Sequence, residues 1–331
     1  MKTKAIVFAS KESVVIGDLE VPAPGNQEIQ VQSQYSTIST GTEGWLLRNL
    51  FTRVKIDFPF VPGYQRSGIV TAVGPDTTGW RVGDRALALI GKWSSTEVTS
   101  VLGGHIGLAN VATDFAYPLA DQVDDVDASS AVVAQVGYNA AHRVPFEAGT
   151  WVLVYGDGLV GQCAAQAART KGARVILVGH RKERLQLAKE YSADAVVNGY
   201  TDDVLAAVRK TVQAKTIPIV LDSVQTKDSQ KQYMELLETG RGQIVYCGFS
   251  PGDYWADMAA LQEGELTTHF VNGFTRDRME ATLALMASGQ MRIRPLVTHL
   301  VSYARGPEMY RMILEKHQPF LGITLNWRTD G

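Results

Sequence analysis

Three glycines, Gly156, Gly158 and Gly161, stand in "VLVYGDGLVGQCAAQAA", spaced G-x-G-x-x-G between an apolar run and an alanine-rich one. Strand, glycine turn and helix in that order form a cradle for a dinucleotide pyrophosphate. The first glycine permits the turn, the second lets phosphate approach the backbone, and the third lets helix and strand pack closely. The helix start offers main-chain N–H groups to the phosphates, so Leu159 and Val160 join the glycines as predicted cofactor contacts. After the next apolar run, in "RVILVGHRKERL", Gly179 takes the place where an acid would hold a ribose 2′-hydroxyl, and His180, Arg181 and Lys182 follow. Cations there suit a 2′-phosphate. NADP(H) is therefore the expected cofactor, with NAD(H) left open, and Gly248 in "QIVYCGF" is predicted to line it.

A second group of reactive side chains lies earlier, with Thr42 and Glu43 in "STGTEGW" and Tyr64, Gln65 and Arg66 in "VPGYQRSGIV". Hydroxyl, phenol and amide are donors that stabilise the oxyanion developing on a carbonyl. A phenol with its ordinary pKa of ~10 needs a neighbour to act as a base near neutrality. Thr42, Glu43, Tyr64 and Gln65 are the candidate catalytic residues. Glu43 is open to a second reading, which is favoured, as partner of a structural cation such as Arg66. Trp45 and Phe51, in "GWLLRNLF", are predicted to form an apolar substrate wall, and Tyr138, with Asn139, is a further candidate for substrate contact. His105 and His142 are possible proton carriers, but a lone histidine more often serves structure.

Two kinds of architecture must position these groups. Up to about residue 120 the chain reads as short strands ("AIVFA", "EIQVQSQYSTIS", "SGIVTAVGPD", "RALALI") punctuated by Gly and Pro, which marks a β domain. The Asp-rich start and alanine-rich body of "DVDASSAVVAQVGYNAAHRV" predict a capped helix. Apolar strands then alternate with amphipathic helices from "WVLVYG" to "QIVYCGF", the pattern of a parallel, doubly wound sheet covered on both faces. A strand left over at the end, "FLGITLNW", suggests a return to the first domain. The expected division is 1–125 with 273–331 against 126–272.

The chain has 331 residues, 45% of them hydrophobic and 20% charged, with a net charge of −2. It can bury a real core, and its near-neutral charge gives no footprint for nucleic acid or an anionic membrane. No apolar run approaches the roughly 20 residues of a membrane span, and "MKTKAIVFAS" reads as a first strand, not a signal peptide. A cytoplasmic protein acting on a small molecule is expected. The two cysteines, Cys163 and Cys247, form neither a disulfide framework nor a thiolate metal cluster.

The order of "VPGYQRSGIVTAVG", "WRVGDRAL", the glycine loop, "GRGQIVYCGF" and "ALMASGQMRIRPLVTH" resembles the medium-chain dehydrogenase/reductases, the alcohol dehydrogenase-like superfamily, over essentially the whole chain. "STISTGTE" and "VPGYQ" look most like the branch containing bacteriochlorophyllide a dehydrogenase. The resemblance implies an α/β fold with a GroES-like β-barrel catalytic domain, a Rossmann cofactor domain, a cleft between them and a homodimer joined near "QIVYCGFSP" and "ELTTHFVNGF". Zinc-dependent relatives carry ligands in C-G-T-D-like and G-H-E segments. These read Thr40-Gly41-Thr42-Glu43 and Gly63-Tyr64-Gln65 in this chain, and "AVVAQVGYNAAH" supplies no cysteine or acid as a third ligand. Hydroxyl, phenol and amide are poor zinc ligands, so a zinc-independent enzyme is expected. Thr42 matches the Ser or Thr that relays the substrate proton in relatives. The implied activity is ketone and secondary alcohol interconversion. The alternatives are NADPH-dependent reduction of an enone or quinone C=C bond, and a non-catalytic NADPH-binding protein.

Overall fold

The computed structural model describes residues 1–53, 55–252 and 256–328. The chain divides into two compact units, one of residues 1–132, 283–288 and 297–331, the other of 133–282 and 289–296.

In the first unit β1 (Lys2–Ser10) and β2 (Ser13–Glu20) form an antiparallel hairpin. Then follow β3 (Glu28–Thr37), α1 (Thr40–Leu47), β4 (Arg66–Val73), β5 (Arg85–Ala88), β6 (Leu108–Ala112) and β7 (Ala116–Pro118). The acidic segment forms α2 (Asp125–Ala128), capped by the Asp124 carboxylate on the N–H groups of Val126 and Asp127, and α3 (Ala131–His142) starts beyond it. The single predicted helix is thus two. The chain turns at Ser129 and Ser130, whose hydroxyls both bond the Thr37 hydroxyl at the end of β3.

The second unit runs β8 (Trp151–Tyr155), α4 (Leu159–Thr170), β9 (Arg174–Gly179), α5 (Lys182–Tyr191), β10 (Ala195–Asn198), α6 (Val204–Val212), β11 (Ile219–Asp222), α7 (Lys227–Met234), β12 (Gln243–Tyr246), α8 (Met258–Glu263) and β13 (Thr267–Phe270), followed by α9 (Arg276–Ala287). Its strands pair in parallel in the order β10-β9-β8-β11-β12-β13. The continuous apolar runs of the sequence follow from this, because both faces of β8 and β11 are covered and Val152, Val154, Ile219 and Leu221 are all buried. Leu153, Val220 and Ile244 share a core with Val208, Leu236 and Tyr233, each large apolar side chain stabilising the unit by about 1.5–3 kcal/mol relative to exposure.

The chain then supplies β14 (Val297–Ser302), α10 (Gly306–Glu315) and β15 (Gly322–Asn326). β15 pairs with β3, so the end of the chain completes a sheet ordered β14-β15-β3-β4-β5-β7, with β6 also on β3. Phe8, Leu47, Phe60 and Ile323 pack with Tyr310 and Met309 of α10, Phe8 meeting Tyr310 edge to face at 4.9 Å. This core fixes α1, the helix that carries Thr42 and Glu43. Among the described residues, no helix is long and apolar enough to cross a membrane.

Candidate active site

The nucleotide loop in the second unit is built as its spacing predicts. Gly156 has φ +113, and a Cβ there would meet the Ser223 hydroxyl at 2.2 Å. A Cβ on Gly161 would lie 2.0 Å from the Gly156 carbonyl oxygen, whereas one on Gly158 would meet no protein atom within 4 Å. The close packing of strand on helix and the unobstructed second glycine are what a pyrophosphate lying on the backbone needs. Gly158 is the N-cap of α4 without a side-chain cap, so no side chain competes for the first N–H groups, those of Leu159 and Val160. Gly248 follows β12, where a Cβ would sit 2.2 Å from the Gln225 side-chain oxygen. The loop residues fit a nicotinamide dinucleotide.

Asp157, which the sequence reading passed over, organises the adjoining turn. Its Oδ2 accepts the N–H groups of His180 (2.9 Å) and Arg181 (3.0 Å), and its Oδ1 accepts from Arg184 Nη1 at 3.2 Å. The Asp157 side chain also explains the glycine at 179, since a Cβ there would lie 2.5 Å from Asp157 Cβ. His180 stacks on Tyr200 at 4.6 Å, and Arg181 reaches the His180 ring at 3.4 Å. Lys182 is exposed in the first turn of α5. His180, Arg181 and Arg184 thus gather at one strand end. The only signal for Asp157 was its place inside the glycine motif.

In the first unit, Thr42 lies in the first turn of α1, and the Tyr64 phenol stands near the hydroxyls of Ser39 and Thr42. Burial pushes the Tyr64 pKa up to about 12; the two hydroxyls oppose the rise and the nearby Glu43 carboxylate adds to it. Ser39, like Thr42 and Tyr64, keeps partial access to solvent. Trp45 and Phe51, both half-buried, meet edge to face at 6.3 Å.

Glu43 is fully buried and does not pair with Arg66. Its Oε1 accepts the Ser39 N–H at 2.8 Å; its Oε2 faces His105 Nε2 at 2.9 Å and accepts the Tyr310 hydroxyl. The expected Glu43–Arg66 pair is corrected by this geometry, because Arg66 points to the carbonyl oxygens of Gly103 and Leu89. The sequence offered no signal for the actual partner, since His105 is 62 residues away. Trp327 Nε1 donates to Ser36 Oγ at 2.7 Å, leaving the Ser36 hydroxyl hydrogen to bond His105 Nδ1 at 2.7 Å. In the neutral ring this places the proton on Nε2, donating to Glu43. Tyr310, within the same cluster, has its pKa raised, first by burial and then by Glu43.

Gln65 is also differently employed. Its amide nitrogen donates to the Thr37 carbonyl at 3.2 Å and its oxygen accepts the Val132 N–H at 2.9 Å, satisfying an orphan donor in the first turn of α3. Tyr138, in α3, stacks on His142 at 3.8 Å, and Asn139 beside it is buried. Cys163 and Cys247 are buried, free thiols.

Hydroxyl, phenol and amide are weak ligands for a catalytic zinc. Thr42 and Tyr64 offer a hydroxyl and a phenol, the Gln65 amide is engaged by main chain, and the buried Glu43 carboxylate and His105 imidazole bond each other. Among the described residues, no three His, Cys, Asp or Glu side chains gather as a metal would require.

Residues 160–288 match the zinc-binding dehydrogenase family. The zinc-type alcohol dehydrogenase-like protein YdjJ of Escherichia coli is 23% identical over 334 residues, covering 92% of each chain. A Sinorhizobium meliloti protein assigned to the zinc-binding dehydrogenases and solved with NADP superimposes with a TM-score of 0.84 at 19% identity, over 98% of this chain and 99% of that one. The Escherichia coli quinone oxidoreductase complexed with NADPH gives 0.80 at 20% identity over the same shares. Residues 160–288 thus resemble the zinc-binding dehydrogenases, in a chain that shares the fold of these solved structures over nearly its whole length.

Proposed function

We propose that the protein is a zinc-independent, NADP(H)-dependent oxidoreductase that interconverts a ketone and a secondary alcohol, of the branch resembling bacteriochlorophyllide a dehydrogenase. The observation that carries this reading is the Tyr64 phenol near the hydroxyls of Ser39 and Thr42, and the resemblance to zinc-dependent relatives puts it where they carry a metal ligand. Nicotinamide, when bound, supplies or accepts the hydride. Tyr64 keeps its proton across the neutral range and donates it to the carbonyl oxygen as negative charge builds there, the task a Lewis acid performs in zinc-dependent relatives. Thr42 and Ser39 then return a proton to the phenol from solvent. In the oxidative direction the same hydroxyls carry the substrate proton outward. Trp45 and Phe51 provide apolar surface for the substrate.

Preference for NADP(H) is supported by the basic side chains His180, Arg181 and Arg184 beside a position that has no room for an acid. Two copies joined along β13 are part of the proposal. This edge strand ends in Phe270, exposed and stacked on Tyr246 at 5.2 Å.

The test is NADPH oxidation with a panel of ketones by wild type, Tyr64→Phe and Thr42→Ala. Loss of one preorganised donor is expected to lower kcat about 10²–10³-fold. Unchanged rates in both variants would remove the mechanism, and turnover of enones with silence toward ketones would replace the reaction by C=C reduction.

A further inference from the structure

Arg66 opens β4 with a side chain that has no access to solvent, and it is the largest fully buried one among the described residues. Nη1 donates to the Gly103 carbonyl at 3.0 Å and reaches the Leu89 carbonyl at 3.5 Å, while Nε and Nη2 have no partner. Among the described residues, no carboxylate pairs with it. Burial alone lowers its pKa, to about 10, which leaves it a cation at neutral pH. A buried, uncompensated charge is among the costliest features a fold can contain. The two orphaned nitrogens are also the particular pair that forms the side-on edge of a guanidinium, from which parallel N–H bonds grip a carboxylate-like oxyanion. Two glycines border the group, Gly103 through its carbonyl and Gly91, where a Cβ would come 3.4 Å from Nη1.

We propose that the Nε–Nη2 edge of Arg66 is an internal binding site for a small monovalent anion, of the size of halide, formate or nitrate, that neutralises the guanidinium within the first unit. The anion is held as a structural ion, and the site is independent of the oxidoreductase reading. Carbonyl oxygens satisfy one nitrogen, and the anion satisfies the other two and supplies the missing charge.

The experiment measures thermal unfolding of the intact protein, dialysed into sodium gluconate, whose anion is too large to be enclosed. Chloride, bromide, nitrate or formate is then added at constant ionic strength. A site binding one of these anions only in the folded state raises the melting temperature by about 3–5 °C between low and saturating anion. The Arg66→Met variant, similar in length and uncharged, is expected to show no such response. Crystals of the wild type grown in bromide are expected to give an anomalous peak within hydrogen-bond distance of Nε and Nη2, a measurement that stands even where the variant does not fold. Equal stability in gluconate and in every small anion, a response of the same size in Arg66→Met, or a water without anomalous signal at that edge would overturn the proposal.

Discussion

Tyr64 is the residue on which the proposed chemistry turns, and its environment fixes its protonation state. Because burial raises its folded pKa to about 12 from an ordinary ~10, the protonated phenol contributes stability below about pH 10, lost as the pH rises toward 12. Ketone reduction is accordingly expected to show no falling limb from Tyr64 between pH 7 and 10, and absorbance titration of wild type against Tyr64→Phe should place the missing phenol near pH 12. Glu43 illustrates what residue identity leaves hidden. Its type was legible, but its partner was decided by β-sheet contacts that bring residue 105 to residue 43. Since its carboxylate serves the Ser39 N–H, His105 and Tyr310 together, Glu43→Ala is expected to cost about 3–5 kcal/mol in denaturant unfolding, against a nearly unchanged midpoint if the cluster were unimportant. Gly179 leads to a prediction opposite to the motif rule. Gly179→Asp, which on motif alone would recruit a ribose hydroxyl, is expected to destabilise the fold without creating an NADH preference, because its Cβ would strike Asp157.

At the scale of elements, the β8–loop–α4 unit was readable because its requirements are local: apolar strand, glycine spacing and alanine-rich helix all lie within one stretch. The same locality makes it brittle. Gly161→Ala would drive a methyl group into the Gly156 carbonyl, and is expected to lower stability by about 1–3 kcal/mol and to abolish protection by NADPH in a thermal-shift assay. Protection equal to wild type would mean that α4 can retreat from β8. The split between α2 and α3 was not readable, because "DVDASSAVVA" has helical composition throughout. What interrupts it is the capture of the Ser129 and Ser130 hydroxyls by Thr37, a residue of a strand 92 and 93 positions earlier. Gln65 follows the same logic, its amide bridging β3 to α3 through main-chain groups that no local pattern announces.

For the molecule as a whole, the fold class was legible from the change of period along the chain, short punctuated strands giving way to alternating apolar strands and amphipathic helices. The chemistry was legible only as a list of donors, since a fold hosts many reactions and does not name its substrate. The proposal of a zinc-independent site rests on hydroxyl, phenol and amide groups at Thr42, Tyr64 and Gln65, where the resemblance would place metal ligands or their neighbours. Assembly offers a separate check. Phe270→Asp, on the exposed end of β13, is expected to convert a dimer to a monomer in light scattering, with no change if the edge is unused. The most direct test of a metal-free site is NADPH consumption with ketones by wild-type protein stripped with a strong chelator and verified free of zinc by mass spectrometry. Turnover undiminished by stripping, and unchanged when zinc is restored, is the expected result; activity that vanishes with the metal and returns with added zinc would contradict the assignment of carbonyl activation to Tyr64.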